Sequence, residues 1–224
     1  MMLKRRDLIT GGVAAVAAPF VRPVSAETSQ VPPDEALERL IEGNARYVAN
    51  APVNTDHSVG RSARALGQQP FATIVSCADS RVAPELIFDQ GPGELFVIRA
   101  AGNVISDYGL ASLEYGAAVL GISTIVVLGH SSCGAVSATI SAVQDDTLPG
   151  GHLPGLVNAI RPAVVEAIAD DPADLLADAT ARNALHGAEK ARSTAPILSE
   201  LHLTGQLKTA AAVYDIATGQ VAFL

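Results

Sequence analysis

Three runs of strand length, FATIVS (71–76), ELFVIRA (94–100) and TIVVLG (124–129), are apolar almost without interruption. A strand with one wet face alternates polar and apolar residues. A strand without that alternation is buried on both faces, as in a parallel sheet covered by helices. Between the second and third runs, SDYGLASLEYGAAVLG (106–121) reads as the crossover helix that parallel neighbours require. PDEALERLIEGNARYVAN (33–50) reads as an amphipathic helix, with Pro33 and Asp34 at its start and Leu37, Leu40 and Ile41 on one face. Further helix is expected from near Ser132 through GAVSATISAV, then over 154–170 and 172–203, with breaks at Pro172 and Pro196. LKTAAAVYDIATGQVAFL (207–224) reads as two strands around a TG turn, and residues 51–69 are polar and weakly patterned. The expectation is one α/β domain over 35–224, a parallel-core β-sheet flanked by helices, without internal repeats.

A chain of 224 residues that is 49% hydrophobic can bury such a core without disulfide staples. Its formal charge is −8, and the body of the chain carries no basic stripe, so nucleic acid is not an expected partner. The one concentration of positive charge, LKRRD (3–7), has another reading. Lys4, Arg5 and Arg6 form a basic n-region, LITGGVAAVAAPFV (8–21) an apolar stretch, and VSA (24–26) a small-residue cleavage site. The apolar stretch is too short and too rich in Gly and Ala for a membrane span, which needs about 20 apolar residues. No stable membrane anchoring is therefore expected after cleavage. The paired arginines before DLITGG resemble a bacterial twin-arginine signal, which carries folded proteins. Residues 1–26 are thus expected to be an export signal peptide and 27–34 a linker, with the mature protein in the periplasm.

In open α/β sheets, ligands bind beyond the carboxyl ends of the strands. Cys77 follows the first apolar run within VSCADSR (75–81), with Asp79 and Arg81 at every second position after it. GHSSCGA (129–135) sets His130 and Cys133 at the matching end of the third run. The chain has only these two cysteines, and one of its five histidines falls with them. Three readings suit the residue types: small buried cysteines beside a helix-capping histidine, a disulfide in an oxidising compartment, or a metal site. Two thiolates and an imidazole suit zinc, with a fourth position left open. A metal inserted in the cytoplasm would travel with a protein exported folded. The Asp79–Arg81 pair has a use beside a metal and none beside a disulfide, so zinc is the leading reading. His57, His152, His186 and His202 have no ligand partners nearby in sequence. GHSSCG fails the G-x-S-x-G frame of a nucleophile elbow, and neither G-x-G-x-x-G nor a P-loop lysine is present.

C-A-D-S-R at 77–81 followed by H-S-S-C at 130–133, each after an apolar strand, resembles the signature of the β-class carbonic anhydrases. The likeness runs over residues 35–224, through GNARYVAN, GQQPFATIVSCADSRVAPELIF, PGELFVIRAAGNV and SLEYGAAVLG. It implies one Zn2+ per chain held by Cys77, His130 and Cys133, with Asp79 and Arg81 as the catalytic polar pair. The implied reaction is the reversible hydration of carbon dioxide to bicarbonate and a proton. The implied assembly is an obligate dimer or higher oligomer, such as a tetramer, with active sites near the subunit interface. Matched position by position, the substrate-binding residues fall on Gln68, Phe96, Tyr115 and Gly134, and Ala101 stands where many relatives carry valine. That change leaves hydrolysis of carbonyl sulfide or carbon disulfide on the same site as an alternative. A non-catalytic periplasmic disulfide protein is the alternative from a different class. Arg99 matches the arginine of a regulatory bicarbonate site found in one subgroup, but Ile74 replaces that site's tryptophan, so the site is not expected here. Two anionic thiolates donate more charge than imidazoles do, so the rate is expected to rise with pH above neutrality.

Overall fold

The computed structural model describes residues 31–58 and 60–224; the export signal expected over 1–26, and residues 27–30 of the linker, lie outside the described residues. Five strands form one sheet in the order β2-β1-β3-β4-β5: β1 (Ala72–Cys77), β2 (Leu95–Ala100), β3 (Thr124–His130), β4 (Lys208–Tyr214) and β5 (Val221–Phe223). The first four run parallel, and β5 turns back antiparallel along β4. Every residue of β1 and of β3 is buried, as their unbroken apolar runs require. β2 departs from expectation: it is an edge strand with Phe96–Ile98 only half-buried and Arg99 exposed. Its apolar run marks a surface that a single chain leaves uncovered.

Helices cover both faces. On one, α1 (Pro33–Val48) lays Ala36 and Leu40 over Ile74, Val126, Leu128 and Ala212. A side chain at Gly43 would collide with the Phe88 carbonyl, so glycine sets how closely this helix seats. Crossover helix α4 (Asp107–Ala118) starts where Ser106 Oγ accepts the Gly109 N–H at 3.2 Å. Together with α7 (Leu175–Ser193) and α8 (Ile197–Leu203) it covers the opposite face, where Ala184, Ala188 and Ala191 join Val75, Ile125 and Val127 in one apolar cluster. A third cluster lies under α5 (Gly134–Gln144) and α6 (Leu153–Asp170), and it contains both cysteines. The expected breaks occur: α6 ends before Pro172, and Pro196 precedes α8. Short α2 (Arg61–Arg64), α3 (Pro84–Ile87) and a 3-10 turn at Ala101–Asn103 lack the periodic pattern that would announce them.

The polar segment after α1 is tied down by one buried carboxylate. Asp89, whose side chain is 1% exposed, accepts Arg46 Nε at 2.6 Å and the backbone N–H groups of Val53 and Asn54. Burial alone would push this carboxyl up; the Arg46 guanidinium and the amide donors outweigh it and hold the group below its usual range. A carboxyl depressed in the folded state stabilises the fold above its unfolded pKa, and that contribution is lost as pH falls. Asp89→Asn is therefore expected to cost about 1–3 kcal/mol in urea unfolding at pH 7. The gap from wild type should narrow as pH drops through about 4.

Candidate functional site

Parallel register decides what meets at the carboxyl edge of the sheet. Cys77 pairs with Ala100 of β2, while β3 continues two residues past its last pairing with β1 at Leu128, to end on His130. Ser132 then takes a left-handed conformation at φ 56°, and Cys133 caps the start of α5. The Cys77 and Cys133 sulfurs and a His130 ring nitrogen all lie within 4.8 Å of one another, and all three residues are buried. Both cysteines are free thiols.

Three observations test whether these residues fit a metal. His130 Nδ1 lies 3.0 Å from the Ser131 carbonyl, which can only accept, so Nδ1 carries the proton and Nε2 presents its lone pair. That Nε2 is buried and has no hydrogen-bond partner among the described residues. The sulfurs, finally, share charge unevenly. Cys77 is lowered, chiefly because Cys133 donates to it, while Cys133 is raised because it keeps the proton the pair shares. Burial works against protonation of His130, but the negative charge on Cys77 outweighs it and pushes this imidazole up. Two sulfurs and a nitrogen so arranged make a soft, electron-rich donor set with three members, and zinc fits it.

Around this trio the loop after β1 is braced by arginines. Arg81 forks onto Asp79, with Nε on Oδ1 at 3.0 Å and Nη2 on Oδ2 at 2.7 Å, while the Arg81 N–H also donates to Oδ1. Its guanidinium holds the Asp79 carboxyl well below the usual carboxylate range. Asp79 Oδ2 stands 4.0 Å from His130 Nε2. Arg99, reaching over from β2, donates to the Cys77 carbonyl at 3.0 Å and to the Asp79 carbonyl at 2.6 Å. Motif reading placed Arg99 only by its match to a bicarbonate site; Ile74, at the tryptophan position of that site, is fully buried in the core. The Gly102 N–H donates to Cys77 Sγ at 3.2 Å, a backbone contact with no side-chain signal in the sequence.

The five expected substrate-binding residues divide between two ends of the sheet. Ala101 directly follows Ala100, the partner of Cys77, and Gly134 is the first residue of α5 with open space where a side chain would be. Both lie at the cysteine end. Phe96 pairs with Thr73 near the start of β1, and the Tyr115 ring packs beside it at a tilt of 38° with ring centroids 6.3 Å apart. Gln68 precedes β1 and lines an exposed groove with Asn54, Arg64 and Glu94. At roughly 3.3 Å per residue, the four-residue offset from Thr73 to Cys77 sets the Phe96–Tyr115 pair about 13 Å from the cysteine end, and Gln68 precedes the strand altogether. One chain does not bring them to the cluster.

Residues 72–221 match the family model described as carbonic anhydrase. Carbonic anhydrase 2 of Mycobacterium tuberculosis is 51% identical over 134 residues, 59% of this chain and 65% of that one, so the match spans just under two thirds of the relative. The carbonic anhydrase of Pseudomonas aeruginosa is 39% identical over 162 residues, covering 69% of this chain and 73% of that protein. Among solved structures, a tetrameric beta-carbonic anhydrase of the ascomycete Sordaria macrospora superposes with a TM-score of 0.67 at 25% identity, over 84% of this chain and 95% of the other.

The two bonds from Arg99, beside the Ala78 N–H to Ala100 carbonyl bond at 3.1 Å, tie β2 to the loop carrying Cys77 and Asp79. Arg99→Ala should lower the unfolding free energy by about 1–3 kcal/mol, measured by urea denaturation. Arg99→Lys should recover only part of the loss, because a point ammonium does not span two carbonyls as a guanidinium fork does.

Proposed function

The chain belongs to the β class of the carbonic anhydrase family, and on that premise we propose that it catalyses the reversible hydration of carbon dioxide to bicarbonate and a proton. The observation that carries the proposal is the buried Cys77–His130–Cys133 cluster, with its unpartnered imidazole nitrogen. These three residues would hold one zinc ion per chain. Zinc bound there supplies Lewis acidity that makes water nucleophilic near neutral pH.

Asp79 is kept ionised and oriented by Arg81, so its Oδ2 is a fixed hydrogen-bond acceptor beside the cluster. In the proposed role it accepts a hydrogen bond from the reacting water and so orients it, while Arg81 keeps the carboxylate from taking the proton. Carbon dioxide is small and apolar. Ala101 offers it an apolar wall, and the missing side chain of Gly134 leaves room for it next to the cluster. With alanine rather than valine at 101, hydrolysis of carbonyl sulfide or carbon disulfide on the same residues stays the alternative reading.

Self-association is part of the proposal. β2 is an uncovered edge, and Tyr108, Tyr115 and Val119 leave apolar surface exposed beside it. Two copies joined edge to edge about a two-fold axis would run antiparallel, setting the Phe96–Tyr115 end of one against the cysteine end of the other. Such a dimer supplies what a single chain lacks, and Gln68 of a second copy is then the proposed polar contact to bicarbonate. The tetrameric state named for the Sordaria macrospora relative supports assembly at that level or above. Export is proposed on the sequence alone: the basic n-region, the apolar stretch and VSA support cleavage after Ala26 and a periplasmic site of action.

Stopped-flow carbon dioxide hydration, with zinc per chain measured on the same sample, tests the reading. The expected result is turnover with about one zinc per chain, both lost in Cys77→Ser. Zinc without carbon dioxide turnover would move the assignment to carbonyl sulfide or carbon disulfide. Protein with neither zinc nor free thiols would replace it with a disulfide protein. Arg81→Ala should keep its zinc and lose activity by about 10–100-fold; loss of zinc along with activity would make Arg81 a structural residue.

A further inference from the structure

Gly102 stands between the cluster and a buried amide that no motif includes. Its N–H donates to Cys77 Sγ at 3.2 Å, and its carbonyl accepts Asn183 Nδ2 at 2.8 Å. The residue is left-handed, with φ 63° and ψ 25°. A side chain there would lie 2.6 Å from Ile160 Cδ1 and 3.2 Å from Ala135 Cβ, so the turn is also pressed against α6 and α5. Those two hydrogen bonds constrain the two peptide planes that flank one Cα. Because the left-handed turn is wedged against Ile160 and Ala135, it moves as a unit, and a shift of the turn that frees the carbonyl displaces the N–H from the sulfur as well.

Asn183 is well placed to hold that turn. It is 6% exposed, on the face of α7 that packs against the sheet. The seating of α7 on β3 is close: a Cβ at Gly187 would lie 2.9 Å from Val127 Cγ1, and one at Gly129 3.2 Å from Thr180 Cγ2. β3 ends on His130. Through α7, the Asn183 amide is therefore referenced to the strand that carries the nitrogen donor, while its hydrogen bond reaches the turn that contacts a sulfur donor.

We infer that Asn183 is a positioning residue for the metal centre, acting through the Gly102 peptide to hold its N–H on Cys77 Sγ. An N–H directed at a thiolate draws charge from the sulfur and fixes where its remaining lone pairs point. It thereby tunes how strongly the sulfur donates to a metal. Without the Asn183 donor, the buried Gly102 carbonyl loses its partner and the turn relaxes to recover one. Cys77 then keeps its place in the chain but loses its hydrogen bond. This inference rests on the metal reading of the cluster.

Cobalt(II) is the probe, because its thiolate-to-metal absorption band reports sulfur donation directly, without reference to turnover. Asn183→Leu keeps the branched shape of the side chain and removes the donor. In the full chain loaded with cobalt(II), this variant should shift that band, and competition with a chelator should show affinity weakened by about 10–100-fold. Asn44→Ala is the control, because Asn44 is also a buried amide, donating to the Ile87 and Gly219 carbonyls far from the cysteines. It should lose stability in urea yet leave both cobalt readouts unchanged. An Asn183→Leu protein with wild-type band position and affinity would overturn the inference while leaving the metal reading intact. Wild-type protein that takes up no cobalt would overturn both. Should the leucine variant fail to fold, Asn183→Ala removes the same donor without adding apolar bulk, and the same two readouts decide.

Discussion

Parallel pairing of β1 with β3 and β2 is the constraint on which the rest of the molecule depends. A parallel ladder carries all its carboxyl ends to one edge, so residues far apart in the chain leave the sheet at the same place. Cys77 and His130 end β1 and β3, Ala101 directly follows β2, and the three share the carboxyl edge of the sheet. The ladder holds only because β1 and β3 are covered on both faces, which is why their apolar runs are continuous. Burying the strands also dries the corner where they end, and electrostatic interactions there are strong for the same reason.

A dry corner that gathers thiols must manage negative charge. Each thiolate placed there needs donors or counter-charge, and the structure supplies both through its backbone. The Gly102 N–H serves Cys77, and Cys133 stands at the N-terminal end of α5, where the helix dipole favours negative charge. Arg81 and Arg99 sit farther out, on carboxylate and carbonyl oxygens rather than on sulfur. That division matters. An arginine on a sulfur would occupy the position a metal needs, whereas one on Asp79 or on the loop carbonyls shapes the corner and leaves the sulfurs available.

Much of this could be read from the sequence, and the rest could not for identifiable reasons. Cys77, His130 and Cys133 were legible because strand-end position follows from hydrophobic runs, and the parallel topology does the gathering. Asp79 and Arg81 were legible because their contact is local, two residues apart. Gly102 and Asn183 were not: their partners lie 25 and 81 residues away, and a backbone N–H has no residue type to search for. β2 misled in a different way. An apolar run records that a surface is covered in the working protein, but not whether its own chain or another does the covering. α2, α3 and the 3-10 turn are too short to show a helical period at all.

The same limit explains why the expected substrate residues separate. Phe96, Tyr115 and Gln68 were grouped with the cysteines by resemblance alone, and a resemblance carries no information about which copy of a chain each residue serves. The sheet resolves this by direction. In a parallel ladder, residues near strand starts and strand ends are held apart by the full length of the strand, and no loop rearrangement in one chain joins them without breaking the sheet. Phe96 is fixed near the start of β2 by its pairing with Thr73, and Gly116 lets the Phe96 ring and the adjoining helix pack closely around that strand start. Either these residues have nothing to do with the cluster, or a second chain runs antiparallel to the first along the β2 edge. The exposed apolar surface at Tyr108, Tyr115 and Val119 favours the second choice, because leaving it in water costs more than covering it. On the proposed reading, catalysis and assembly share one requirement: the β2 edge that a second copy covers is the edge that brings these residues to the cluster.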